Sequence, residues 1–132
     1  MSLTYRISSS GDQVRVVGKG HVDTTQCIRL VERVMADPRC HSAATALVDL
    51  HNATYEPDDL AEIIDIGKEL VKFQARLKNH IAIVARQSTL FPAAILSHYL
   101  RKTVRTGIKV FVDLAAAEAY CRRNWHPSYG VR

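Results

Sequence analysis

Thr45–Ile64, reading TALVDLHNATYEPDDLAEII, decides how this chain folds. Ala46-Leu47-Val48-Asp49-Leu50 is a nearly continuous apolar run of strand length, the pattern of a strand covered on both faces. A polar loop follows. A long amphipathic stretch then opens with Pro57 near its start and Asp58 and Asp59 in its expected first turn. Proline is tolerated there because its missing N–H would have no helical partner. Carboxylates there complement the helix dipole. A strand that runs through a polar loop into a helix is the junction where an α/β domain presents its working groups.

Working outward, Leu3–Ser8 and Gln13–Lys19 read as two strands, the second with Val14 and Val16 alternating with Arg15. Ser9-Ser10-Gly11-Asp12 between them has turn composition, which predicts an antiparallel hairpin ending in a bend at Gly18-Lys19-Gly20. Asp23 or Thr24 caps a helix that carries Ile28, Val31, Val34 and Met35 on one face and stops before Pro38. Downstream of the central strand, a helix is expected from Pro57 to Leu77. Its stripe is Leu60, Ile63, Ile64, Leu70, Val71 and Leu77, with Gly67 on the same face at a close contact, and Asn79-His80 close it. Ile81–Ala85 is a second buried strand. A third helix starts near Ser88 or Thr89 with Pro92 in its first turn and Phe91, Ile95, Leu96, Tyr99 and Leu100 inward. Ile108–Val112 is the last strand, and Asp113 caps an Ala-rich helix from Leu114 to Arg123. Strands alternating with helices imply right-handed crossovers. The expected fold is α/β: a mostly parallel central sheet of five strands with an N-terminal antiparallel hairpin and four helices, one domain over residues 1–123. Residues 124–132 form a tail bearing Trp125 and Tyr129.

At 132 residues, the chain is long enough to bury roughly two-thirds of its unfolded surface without a disulfide or metal. Hydrophobic residues make up 47% and charged residues 23%, ordinary for a globular domain. No apolar run is long enough to span a membrane, and the start lacks a signal-peptide pattern. Three cysteines without CxxC spacing fit a reducing, cytoplasmic compartment. The net charge is +5, but the basic residues are scattered and not interleaved with aromatics, so nucleic acid is not the expected partner.

Catalytic signatures are absent. The six histidines form no HExxH or HxxxH pair, and no phosphate-loop or nucleophile-elbow pattern occurs. No metal, cofactor or catalytic residue is expected. Asp58 and Asp59 are consecutive and so do not face each other on a helix.

Gly20-His21-Val22-Asp23, between a strand and a helix, resembles the G-x-[LIV]-D signature of STAS domains. Val48-Asp49-Leu50 with Asn52, Ala53 and Tyr55 is similar to that family's third strand and loop. The element order extends the resemblance over about residues 3–123, closest to the SpoIIAA-like branch of mostly uncharacterised bacterial proteins. In regulatory members a Ser-Ser-Gly-Leu helix start carries a serine phosphorylated by a partner kinase that is also an anti-sigma factor. The matching Pro57-Asp58-Asp59-Leu60 is one residue short and has no hydroxyl, so the resemblance implies a module without the phospho-switch. Thr54 is the nearby hydroxyl, expected to be a loop hydrogen-bonder. The implied function is non-enzymatic: a regulatory or protein-interaction module, expected to form a homodimer. Its interaction surface comprises His51, Asn52, Thr54, Tyr55, Glu56, Asp58 and Asp59. The alternative is a binder of a small hydrophobic ligand such as a lipid, gated by Phe91, Ile95 and Tyr99.

Overall fold

The central strand is longer than its apolar run. In a computed structural model that describes residues 2–41, 44–73, 80–103 and 107–123, β3 spans Thr45–Thr54. Its polar second half, His51–Thr54, is strand rather than loop because it pairs with the preceding strand, Asn52 opposite Lys19 and Thr54 opposite His21. That partner, β2, is Gln13–His21 and likewise overruns its expected end. Gly18-Lys19-Gly20 does not end the strand: β2 continues, and the register with β3 shifts between Val17 and Lys19, where β3 carries one extra residue between Asp49 and Asn52. Gly20, at φ +70°, takes a conformation that L side chains rarely adopt. β1, Ser2–Ile7, pairs antiparallel with β2 through a turn containing Gly11, which is the predicted hairpin.

The five strands lie in chain order, β1-β2-β3-β4-β5, with β4 at Ile81–Val84 and β5 at Ile108–Phe111; all pairs after the first are parallel. Four α-helices occur among the described residues: α1 Thr24–Ala36, α2 Leu60–Lys72, α3 Leu90–Thr103 and α4 Leu114–Arg123. A 3-10 turn at Gln87–Thr89 leads into α3.

Asp23 caps α1, accepting from the Gln26 N–H while the Gln26 side chain accepts from the Asp23 N–H. α2 starts three residues later than expected, because Asp59 is its N-cap and accepts from the Glu62 N–H at 3.2 Å. Pro57 and Asp58 therefore precede the helix. Its described part closes at Lys72 with Phe73 as C-cap, while Leu77 and Asn79 lie outside the described residues, as do Trp125 and Tyr129. Asp113 accepts from the Ala115 N–H at 3.3 Å at the start of α4.

Alternation along the strands divides the core between two faces. Val14, Val16, Ile81 and Ile83 face α1, α2 and α3 together with Ala46 and Val48. Leu47, Ala82 and Val84 face α4 through Ala117. Right-handed crossovers explain the asymmetry. Three helices connect successive parallel strands and share one face, while α4, which follows β5, packs on the other. The carboxyl ends of β3, β4 and β5 thus meet the amino ends of α2, α3 and α4.

Candidate functional site

At the carboxyl end of β3 the chain is braced by side chains. Tyr55 is 8% exposed, so it lies inside the site rather than on its surface. Thr24 Oγ1 donates to Glu62 Oε1 at 2.6 Å, which leaves the Tyr55 hydroxyl to donate to Thr24 across 2.7 Å. The second Glu62 oxygen accepts from the Asp58 N–H at 2.8 Å. The Tyr55 N–H donates to Ser88 Oγ at 3.1 Å. This one network joins the end of β3 to the starts of α1 and α2 and to the turn before α3. The Thr24 hydroxyl, followed by the Asp58 amide, holds the Glu62 carboxyl below its usual range. Burial raises the Tyr55 phenol, which stays neutral.

The remaining sequence-predicted residues divide by exposure. Asn52, Thr54, Glu56, Asp58 and Asp59 are exposed at this end. Thr54 ends β3, and its carbonyl accepts from the Val22 N–H at 2.8 Å. His51 is half-buried, its Nδ1 in short contact with the buried Asp49 carboxylate on the same side of the strand, which also accepts from the His51 N–H.

Two expectations about apolar residues are overturned. Phe91 was expected inward and is 64% exposed; Leu60 was expected in the α2 stripe and is 55% exposed. Leu90, at 42%, joins them. The cause is local. Side chains in a first helical turn tilt toward the N-terminus and reach past the end of the sheet, so the stripe three residues later does not predict them. Ile63, one turn beyond Leu60, is fully buried. Sequence reasoning missed this apolar group, whose only signal was a large apolar residue at each helix start.

Between the sheet and α1–α3 lies an apolar cavity of about 190 Å³, bounded by Val16, Leu30, Val48, Ile63, Ile83 and Leu100 among others. Cys27 and Thr89 also reach it. Phe91, Ile95 and Tyr99 are not among its lining residues: Ile95 packs with Tyr55, Ile63 and Ile66, and Tyr99 lies over Gly67. From α3 the wall is Pro92, Ala93, Leu96 and Leu100.

Among the described residues, no group of three His, Cys, Asp or Glu side chains is placed to hold a metal, and no helix is long and apolar enough to cross a membrane. No family model and no curated protein matches the sequence. Solved structures do match. The anti-sigma factor antagonist SpoIIAA in its unphosphorylated form superimposes with a TM-score of 0.52 at 10% identity, over 92% of this chain and 97% of that one. The chain has the SpoIIAA fold. An uncharacterised DUF3478 protein from Shewanella loihica PV-4, itself described as having a SpoIIAA-like fold, aligns at TM-score 0.56 and 15% identity, covering 91% of this chain and 94% of that one. At such identities the likeness to SpoIIAA is one of fold, which agrees with the STAS resemblance read from the sequence. The site's chemistry must be argued from this chain's own residues.

Proposed function

We propose that this chain is a non-enzymatic regulatory module of the STAS type, which docks a protein partner on the carboxyl end of its sheet and works without a serine phospho-switch. The observation that carries the reading is the exposure of Leu60, Leu90 and Phe91 at the starts of two neighbouring helices. Exposed Glu56, Asp58 and Asp59 lie beside them. Large apolar side chains held in water next to fixed negative charge suit a partner with an apolar centre and a basic rim. SpoIIAA, as an anti-sigma factor antagonist, acts on another protein, which supports an interaction role at the level of the fold. Asp58 and Asp59 place permanent charge where the resemblance would put a phosphorylated serine.

The test compares captures from native cells by the wild-type chain and by a Leu60→Ser, Phe91→Ser double variant, followed by calorimetry with the purified candidate. The reading requires a partner whose affinity drops by about tenfold or more in the variant, the scale of losing one interface hot spot. Equal affinity refutes it. Asp58→Ala is expected to weaken the same complex and reduce its salt dependence. A second copy of the chain is the simplest partner, and sedimentation velocity across a concentration series distinguishes a homodimer.

The cavity favours one second reading, a small hydrophobic ligand. A dry cavity of ~150 Å³ accommodates a benzene-sized molecule, and this one is of similar scale. Its occupant would be a ring or a short acyl chain. Toluene and octanoate should raise the melting temperature of the wild type but not of Ala93→Leu, which fills the cavity. No shift with either compound counts against this reading.

A further inference from the structure

Among the described residues, the face of the sheet opposite α1–α3 is only half covered. α4 lies over β3 and β4, and beside it the β1–β2 hairpin leaves a groove of about 1000 Å³. Arg6, Arg15 and Lys19 project from the strands, and Arg122 comes from α4. Among the lining residues the only carboxylate is Glu118, which pairs with Arg15 at 2.7 Å. Arg6 and Arg15 stand directly opposite each other in the antiparallel ladder. Like charges at that spacing repel; Glu118 offsets Arg15, and a further anion in the groove would offset Arg6 and Arg122, which also line it.

A second, independent feature points the same way. Thr45, on the floor of this groove, is 3% exposed, and its Oγ1 is the buried side-chain oxygen or nitrogen without a hydrogen-bond partner among the described residues. Buried hydroxyls in native proteins are almost always paired. A buried hydroxyl on a residue that lines a basic groove can be completed by an acceptor that enters the groove. Thr45 lies next to Gln13 in the ladder, and the next pair on the same face is Leu47 with Arg15, so the hydroxyl is one step along that face from Arg15.

We propose that the groove between α4 and the β1–β2 hairpin binds a small molecule through a phosphate or carboxylate group. Thr45 Oγ1 donates to one anionic oxygen, and Arg6, Arg15 and Arg122 engage the others. Planar guanidinium forks match the geometry of both anions. The depth of Thr45 favours a small molecule, because only a terminal group reaches a hydroxyl so little exposed, whereas an acidic protein surface would stop at the arginines. This site is distinct from the carboxyl-end surface and stands or falls independently of it.

The test is an amide-resolved NMR titration of the full chain with inorganic pyrophosphate, and separately with citrate, at constant ionic strength. The expected result is saturable shifts confined to the groove, at Arg6, Gln13–Val17, Thr45–Leu47 and Arg122, and the tighter arm identifies phosphate or carboxylate as the preferred group. Thr45→Val should weaken binding by about tenfold, as loss of one hydrogen bond to a charged group does, while thermal stability holds or rises because the hydroxyl has no internal partner. Arg6→Gln, on an exposed side chain, should weaken it without touching the core, and Lys68→Gln on α2 should not change it. Shifts that spread over all basic residues without saturating overturn the proposal. So does unchanged affinity in both Thr45→Val and Arg6→Gln. Tighter binding of an acidic peptide than of either anion overturns the small-molecule assignment.

Discussion

Glu62 shows how a single side chain ties the site to acidity. Its carboxylate is held below 4.5 by the Thr24 hydroxyl and the Asp58 amide. The unfolded chain therefore takes up this proton first as pH falls. The stabilisation is fully present above about pH 4.5 and is lost as pH drops through the lower folded value. Glu62→Gln should flatten the acid limb of stability, read as urea midpoints between about pH 5 and pH 3; an unchanged slope would show that the network contributes nothing. Cys27 behaves in the opposite sense. Burial, with Asp23 adding to it, pushes its thiol up to about 12. It stays neutral at pH 8, and a neutral thiol is a poor nucleophile. Iodoacetamide at pH 8 should alkylate Cys27 at least about a hundredfold more slowly in the native chain than in urea. Equal rates would mean that the cavity beside it opens freely. The stabilisation from keeping this thiol neutral is complete below pH 9.0 and declines from there toward 12.

At the scale of elements, α2 and α3 are held together by a missing side chain. A Cβ on Gly67 would sit 2.5 Å from Cδ2 of the Tyr99 ring. Alanine would favour the helix by about 1 kcal/mol, but overpacking a tight contact costs about 1–3 kcal/mol. Gly67→Ala is therefore expected to destabilise the wild type, and to stabilise the Tyr99→Ala background where the ring is gone. Additive behaviour in chemical denaturation would refute the contact. The sequence placed Gly67 on the packed face of α2, because that depends on periodicity, but it could not name Tyr99, which is brought up by the crossover. The same division runs through the rest of the chain. A helix start at Asp23 or Thr24, the cap at Asp113, the hairpin and the alternation of strands with helices were legible, since each depends on residues close in sequence. The extension of β3 to Thr54 was not, because His51-Asn52-Ala53-Thr54 has no strand signature and becomes strand only through its ladder with Lys19–His21. Nor was the inward turn of Tyr55, set by Thr24 and Ser88, or the outward turn of Leu60 and Phe91, set by where the sheet ends. In the candidate site the polar surface was readable, while its buried anchor and its apolar centre came only with the third dimension.

At the scale of the molecule, protection should follow strand position. β4 is buried along its whole length and flanked by β3 and β5, while β1 forms one edge. Amides of Ala82, Ile83 and Val84 should exchange only through global unfolding, with β1 opening at lower free energy. Exchange of β4 faster than β1 would contradict the layered core. The sheet's chain-order arrangement also bears on how the protein is made. Every strand pairs with its predecessor, so a chain emerging N-terminus first can add each strand to one already in place, and no late strand has to insert between early ones. α4 is the exception. It closes over Leu47, Ala82 and Val84 only after all five strands exist. Weakening it through Ala117→Gly should then chiefly accelerate unfolding and leave the folding rate nearly unchanged. During synthesis the face that α4 covers is the last to leave water.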